Sequence, residues 1–581
     1  MPLVGPLLQA GRAMKHGITA AGGDLSPAPR RAGTSAPAAD APQAGVPAAA
    51  VPGAGAPGAD AAAVPGAAAG RAGRAGPRRV PGWWPLAAVL AVQAAGSLRL
   101  VRADTAFQDE ALYLWAGHLQ WAHWLHGAAV PPFAYYFSGA PVLYPPLGAL
   151  ADAAGGLAGA RILSLAFMLG ATALLWAAAG RLFGRRAAFF AAALFAVLGP
   201  TLHLGSFATY DAMSVFLVAL AAWCVIRAGP RGEATGWMLA AGAILALANA
   251  AAYSSVLFDL IVLALALLTA LPSGGRLAAR RAATAATVTA ALLITGTLIG
   301  GSAYLTGIQQ TTLNRAAGTD TPLAVLTASW SWAGLILALA ICAVIISAAS
   351  RQPPARTALL AVLALAAILG PLEQARLHTA ASLNKHVGLG AWFAAIAAGY
   401  AIDKFIATAP AGRTRAIVSW SCVIALAFPL TLGLTQSRTF ATSWPNATSF
   451  TAIFGPLADH GTGHLLVEDP SIAEYYLPAG TQWQRWSSTR NIILPSGNST
   501  GHPTTAGVIG AGNPAAFARY ITAGYFTLIA LNYADTTTLD NDITTDLHHN
   551  PHYHLIQVIP YTTDTTPGHG TYIIWKYRPQ P

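Results

Sequence analysis

Between residues 83 and 436 the chain is a succession of apolar runs, with its charges confined to short segments between them. A bilayer core about 30 Å thick needs roughly 20 apolar residues per helix. Lipid offers no partner to an unpaired peptide group, so runs of this kind fold as helices packed against one another. Candidate spans fall near 83–98, 160–179, 187–202, 209–226, 236–252, 254–271, 283–300, 330–349, 357–372, 387–402 and 416–434, a bundle of about eleven. The fold class that follows is mainly α, a polytopic membrane bundle.

The two ends of the chain differ from the middle. Residues 1–80 are rich in Ala, Pro, Gly and Arg, with almost no aromatic side chains. They cannot build a core, and they read as a disordered cytoplasmic tail. Residues 437–581 regain polar and aromatic variety. His464 to Asp469, Phe526 to Leu531, Tyr553 to Ile559 and Tyr572 to Trp575 read as strands, with helical segments at Pro470 to Tyr476 and at 535–549. The division is therefore a tail at 1–80, a transmembrane domain at 81–436 and a small α/β domain at 437–581.

Only 9% of residues are charged, against about 25% in a soluble domain. The net charge of +11 raises the question of nucleic acid, but the basic residues form no single patch. Arg71 to Arg79, Arg181/Arg185/Arg186, Arg227/Arg231, Arg276/Arg280/Arg281, Arg351/Arg356 and Lys404/Arg413/Arg415 fall on alternate loops. That is the positive-inside pattern, and it assigns those loops and the N-terminus to the cytoplasm. An odd span count then leaves the C-terminal domain extracytoplasmic. The Ala- and Arg-rich composition points to a bacterial cell membrane. Cys224, Cys342 and Cys422 all lie in apolar runs and read as small buried residues.

The first outer loop, about 99–159, is long and carries Trp115, Trp121, Trp124, Tyr135, Tyr136 and Tyr144. Its aromatic content suits the membrane interface, with an amphipathic helix over 109–126 lying on the outer leaflet. It opens on the acidic pair Asp109-Glu110. A carboxylate beside a hydroxyl can take its proton as the oxygen attacks; acids at a helix start also favour the dipole. On a helix the two side chains diverge by about 100°, so they do not face one substrate together. Asp211 stands at the outer end of another span, where a carboxylate tends to face a cavity. Asp259, near the start of a third, reads as an interior polar contact. Arg376, His378, Lys385 and His386 form the densest outer cationic segment, suited to an anionic lipid phosphate or to interfacial snorkelling. Tyr144-Pro145-Pro146 is a stiff turn before a span. Asn446-Ala447-Thr448 and Asn498-Ser499-Thr500 match a glycosylation acceptor pattern that is common by chance.

The order of these features resembles the polytopic GT-C glycosyltransferases. It runs from one span to Asp-Glu-x-x-Tyr in a long outer loop, then Pro-Pro-Leu before a second span, Arg161, and an Asp opening the fourth span. Within that class it is similar to the family 39 protein O-mannosyltransferases and the aminoarabinose transferases of lipid A. The resemblance covers about 83–436. It implies a polyprenyl-phosphate sugar as donor and inverting transfer to an acceptor hydroxyl of a protein, lipid or polysaccharide on the outer face. It implies Asp109 as catalytic base, with Glu110 or Asp211 orienting the acceptor or a metal, and Tyr113 and Tyr144 in substrate positioning. Tyr144 and Leu112 stand where relatives carry a cation, which shifts phosphate binding onto Arg376, His378, Lys385 or His386. Hard oxygen ligands can hold a divalent metal, yet the sequence displays no dedicated cage. The competing classes are a transporter or flippase, which places ionisable residues at mid-membrane and often has internal repeats, and a non-catalytic scaffold.

Overall fold

The computed structural model describes residues 83–579 apart from 136, 230–233, 316, 490–513, 535 and 564–568. The expected tail at 1–80, Arg231 and the Asn498 triplet lie outside the described residues. Among the described residues, fourteen α-helices build the first part of the fold. They are α1 (Trp84–Leu98), α2 (Gln108–His126), α3 (Tyr144–Phe183), α4 (Arg185–Ala196), α5 (Gly199–Leu204), α6 (Tyr210–Arg227), α7 (Thr235–Ala251), α8 (Asp259–Ala270), α9 (Gly275–Ile308), α10 (Pro322–Ala349), α11 (Pro354–Arg376), α12 (Leu383–Thr408), α13 (Arg413–Ala425) and α14 (Ala427–Ala441).

Eight described segments are long and apolar enough to cross a membrane: Tyr144–Phe183, Tyr210–Arg227, Tyr253–Ser273, Gly275–Leu313, Pro322–Ala349, Pro354–Arg376, Leu383–Thr408 and Arg413–Ala441. Two shorter apolar helices are α1 and α7, and α4 with α5 fills the place of the remaining expected span. Each of the eleven expected segments is thus helical. Boundaries move where glycine breaks the path. Gly155 and Gly156 leave helical geometry, Gly156 with φ +62°, so α3 is a short opening helix followed by the true span.

The arginine-bearing ends gather at one end of the bundle. Arg181 Nε donates to Ile226 O (3.0 Å), Arg281 Nη1 to Gly229 O (2.5 Å) and Arg186 Nε to Asp403 Oδ1 (2.7 Å). Helix α12 runs through the middle, and residues 387–401 are buried along its whole circumference. Small residues make this possible, because membrane helices associate through close packing rather than hydrophobic expulsion. At Gly390 an added Cβ lies 2.3 Å from the carbonyl oxygen of Ala366, so α11 and α12 meet backbone to backbone.

The C-terminal part has α15 (Thr448–Asp459), α16 (Ser471–Tyr476), α17 (Pro514–Thr522) and α18 (Thr537–His549), with strands β1 (His464–Val467), β2 (Trp486–Ser488), β3 (Phe526–Leu531), β4 (Tyr553–Thr562) and β5 (His569–Tyr577). The sheet order is β2-β1-β3-β5-β4. Strands β1, β2 and β3 are parallel, and β5 is antiparallel to both β3 and β4. Alternation along β1 and β3 divides the core. Leu465, Val467, Leu528 and Ala530 pack with Phe450 and Phe454 of α15, and Leu466, Ile529 and Leu531 pack with Phe517, Ile543 and Leu547. The sequence pattern anticipates β1, β3, β4, β5, α16 and α18. It misses β2, α15 and α17, which are short or lack a clear period.

Helix α2 covers the expected 109–126 segment. It is clamped between α3 and the C-terminal part. Trp121 Nε1 donates to Pro146 O (2.9 Å), and Trp115 Nε1 donates to Gly480 O (3.0 Å). Further ties join the two parts. The Trp444 indole donates to Thr105 O, Asn446 Nδ2 to Asp104 Oδ1, and the Tyr475 hydroxyl to Asp152 Oδ1, whose other oxygen meets His118. Of the cysteines, Cys224 is buried as expected, but Cys342 is exposed on the apolar surface of α10.

Overpacking a tight backbone contact costs about 1–3 kcal/mol. Gly390→Ala is therefore expected to lower the thermal unfolding midpoint of the detergent-solubilised protein. Gly236→Ala, with nothing within 4 Å of the new methyl, serves as the control. Equal midpoints for the two variants would contradict the close α11–α12 packing.

Candidate active site

The site is assembled around a buried ion pair. Arg161 Nε donates to Glu110 Oε1 (2.8 Å) and Arg161 Nη2 to Glu110 Oε2 (2.6 Å). Arg161 Nη1 also donates to Val101 O and Asp104 O (3.0 Å each), and Nη2 to Thr105 O (3.1 Å). All five guanidinium N–H groups are thereby used. Glu110 receives two further donors, the backbone N–H of Phe107 (3.0 Å) and of Ala208 (2.7 Å). The side chains are 2% and 0% exposed.

Glu110, which the resemblance implies as an orienter of the acceptor or a metal, is held in this pair. Its carboxylate is spent on Arg161 and two backbone amides, as the divergence of adjacent helical side chains requires. What the pair does is positional. It fastens the α1–α2 connection, the start of α2 and the 205–209 turn to α3, and so fixes the neighbours of Glu110 and Ala208.

Those neighbours are Asp109 and Thr209-Tyr210-Asp211. The structure brings Asp109 and Asp211 to the same place, each in the first turn of its helix. Between them stands Lys385, in the first turn of α12. Its Nζ donates to Asp109 Oδ2 at 2.6 Å and lies 3.8 Å from Asp211 Oδ2. Thr209 Oγ1 donates to Asp211 Oδ2 (2.7 Å). The ammonium also sits 5.7 Å above the Phe207 ring, a favourable cation–π position. A helix dipole accounts for an acid at an N-terminus with about 0.3–1 kcal/mol. It disfavours a lysine there, so the two carboxylates are the reason Lys385 is tolerated. The backbone leading to it is bent: His378 and Ser382 take left-handed φ values of +51° and +63°, a conformation that surrounding structure must hold in place.

The Tyr113 and Tyr210 rings meet in a tilted contact, centroids 4.7 Å apart. Burial, then the neighbouring Tyr210 and the Asp109 carboxylate, push the Tyr113 hydroxyl well above its ordinary value. It stays protonated and can donate. Tyr144 is completely buried in the core with Tyr113 and Phe137.

The other cations of the outer segment do not reach the acids. Arg376, its side chain 62% exposed, pairs with Glu373 (2.6 Å) one turn back. His378 Nδ1 lies 3.1 Å from Asp320 O, and His386 Nδ1 lies 2.6 Å from the Gln374 amide. Lys385 alone of the four meets the acid pair. Asp259 behaves as an interior contact, accepting from Asn249 Nδ2 (2.7 Å), and Asn249 Oδ1 accepts from the Ser255 hydroxyl (2.7 Å). Sequence reasoning passed over His203. It is buried, its ring is 4.6 Å from Phe207, and its Nδ1 has no partner. No spacing signal marks it out, since an isolated histidine in an apolar run reads as core.

In this arrangement Lys385 Nζ stands between the Asp109 and Asp211 carboxylates. Hard cations bind oxygen at about 2.0–2.6 Å, and Lys385 Nζ already holds that distance from Asp109. Among the described residues no group of three or more His, Cys, Asp or Glu side chains gathers.

Residues 152–299 match the family model described as dolichyl-phosphate-mannose-protein mannosyltransferase. A comparison with the curated proteins gives no match. Among solved structures, the chain aligns with ArnT from Cupriavidus metallidurans bound to undecaprenyl phosphate, at a TM-score of 0.55 and 15% identity, over 86% of this chain and 99% of that one. The same protein in the apo state gives 0.54 and 14%, over 85% and 99%. The fold is that of the GT-C membrane glycosyltransferases, and the chain is a multi-pass membrane protein with a family 39-like resemblance.

Removing one partner of a buried ion pair costs about 3–5 kcal/mol, whereas replacing both with apolar or neutral groups of similar volume is often near neutral. Arg161→Met is therefore expected to destabilise the protein more than the double variant with Glu110→Gln, read as unfolding midpoints by tryptophan fluorescence in detergent. A single variant as stable as wild type would remove the pair from its structural role.

Proposed function

We propose that this protein transfers a sugar from a polyprenyl-phosphate donor to an acceptor hydroxyl at the extracytoplasmic face of a bacterial cell membrane, with inversion at the anomeric carbon. The observation that carries this reading is the convergence of Asp109, Asp211 and Lys385 at one end of the bundle, opposite the arginine-rich end. The positive-inside rule assigns the arginine-rich end to the cytoplasm. The reading then has the N-terminus cytoplasmic and the C-terminal α/β domain extracytoplasmic.

In this mechanism Asp109 Oδ accepts the proton of the acceptor hydroxyl. The hydroxyl oxygen attacks the anomeric carbon, the bond from that carbon to the phosphate oxygen breaks, and polyprenyl phosphate departs with the electron pair. Lys385 and the N-termini of α2, α6 and α12 offer positive charge to the departing phosphate, since helix N-termini are natural anion sites. Asp211, held by Thr209, keeps Lys385 in place and orients the acceptor. The protonated Tyr113 hydroxyl supports substrate positioning. Glu110 and Arg161 act through Asp109, as positioning residues. The undecaprenyl phosphate bound to the similarly folded ArnT supports a lipid-phosphate donor. The acceptor class is a hydroxyl of a protein, lipid or polysaccharide.

A positioned general base contributes about 10²–10⁴-fold to rate. Asp109→Asn in the purified full-length protein is expected to lower sugar release from a panel of synthetic polyprenyl-phosphate sugars by that factor, with its unfolding midpoint retained. Turnover near wild type would withdraw Asp109 from the role of base. The sugar itself is read from the lipid-linked species that accumulates in a strain lacking the gene.

A further inference from the structure

Two carboxylates at the mouth of a transferase bundle invite a divalent cation. Here the place between them is taken. Lys385 Nζ lies 2.6 Å from Asp109 Oδ2 and 3.8 Å from Asp211 Oδ2, and Lys385 is only 8% exposed. A metal bridging those oxygens needs contacts of about 2.0–2.6 Å to each, so it and the ammonium require the same volume. Two positive centres there would also repel one another at short range in a poorly hydrated setting. The lysine is held from several sides. Its helix is locked by the Gly390 contact with Ala366, and the Phe207 ring supports its ammonium.

We propose that Lys385 is a built-in cation that occupies the position a divalent metal would need between Asp109 and Asp211, so that the native site works with no divalent ion at that position. The lysine balances one of the two negative charges at all times and presents its remaining N–H bonds to an arriving anionic headgroup. The corollary is competition. With the ammonium removed, a buried and a partly exposed carboxylate are left with a hydroxyl, Thr209 Oγ1, beside Asp211. That set of hard oxygen donors suits a divalent cation.

This inference rests on the transferase reading of the site, but its test reads metal occupancy. Full-length protein in detergent is titrated with Mn2+, and the free-ion signal is followed by electron paramagnetic resonance. Wild type is expected to leave the signal unchanged at the site, judged against Asp211→Asn. Lys385→Met is expected to remove free Mn2+ in proportion to protein added, and Lys385→Met with Asp211→Asn to lose that uptake. Lys385→Arg keeps a cation and is expected to behave as wild type. Uptake by wild type that Asp109→Asn or Asp211→Asn abolishes would overturn the proposal. So would a Lys385→Met variant that is monodisperse by gel filtration yet binds no Mn2+. If that variant does not fold, the wild-type and aspartate arms decide alone. Failure of the transferase reading shows instead as absence of sugar release from every donor, with the Mn2+ results untouched.

Discussion

The buried Arg161–Glu110 pair is the interaction on which the candidate site depends. A guanidinium in a membrane-length helix is costly unless every N–H is satisfied, and here each one is. Three of its acceptors are carbonyls of the 101–105 connection, which therefore cannot take another path. The remaining lone pairs of Glu110 bind Phe107 and Ala208. One ion pair thus sets the register of the first helix of the outer loop and of the turn before α6. Asp109 and Asp211 are each within a few residues of that anchor, and their meeting is a consequence of it.

The charges of the site follow a different logic from those of the anchor. Glu110 is satisfied and closed. Asp109, Asp211 and Lys385 are two anions and one cation, at three converging helix N-termini. The dipoles favour the acids and oppose the lysine, and the acids restore the balance. The partners of Glu110 are all supplied by the protein, whereas Asp109 and Asp211 share one cation between them. That difference separates the positioning residues from those assigned to chemistry.

The C-terminal part is fastened to the bundle through the same segment that the arginine holds. Trp444 and Asn446 reach Thr105 and Asp104, and Tyr476 accepts from Ala106 N. Phe107, Phe207 and Trp444 pack their rings together, with centroids 5.2–5.9 Å apart. The domain is therefore part of the wall around the site. The fold itself is shared with ArnT at 15% identity. A fold at that distance hosts varied chemistry, and function must be argued from the residues.

The sequence by itself determined the bundle. Apolar length, charge-poor spans and alternating arginine clusters leave lipid little choice, and strand periods marked most of the C-terminal sheet. It also singled out Asp109, Asp211 and the Arg376–His386 segment as candidates, because ionisable groups are rare in such a chain. It did not separate Glu110 from Asp109, since adjacent residues look alike until a partner claims one of them. Nor did it choose Lys385 over Arg376, or reveal that a lysine fills the space where a metal was conceivable. Those outcomes depend on which helix ends meet, and pairings across 51 or 276 residues are decided only when the helices pack.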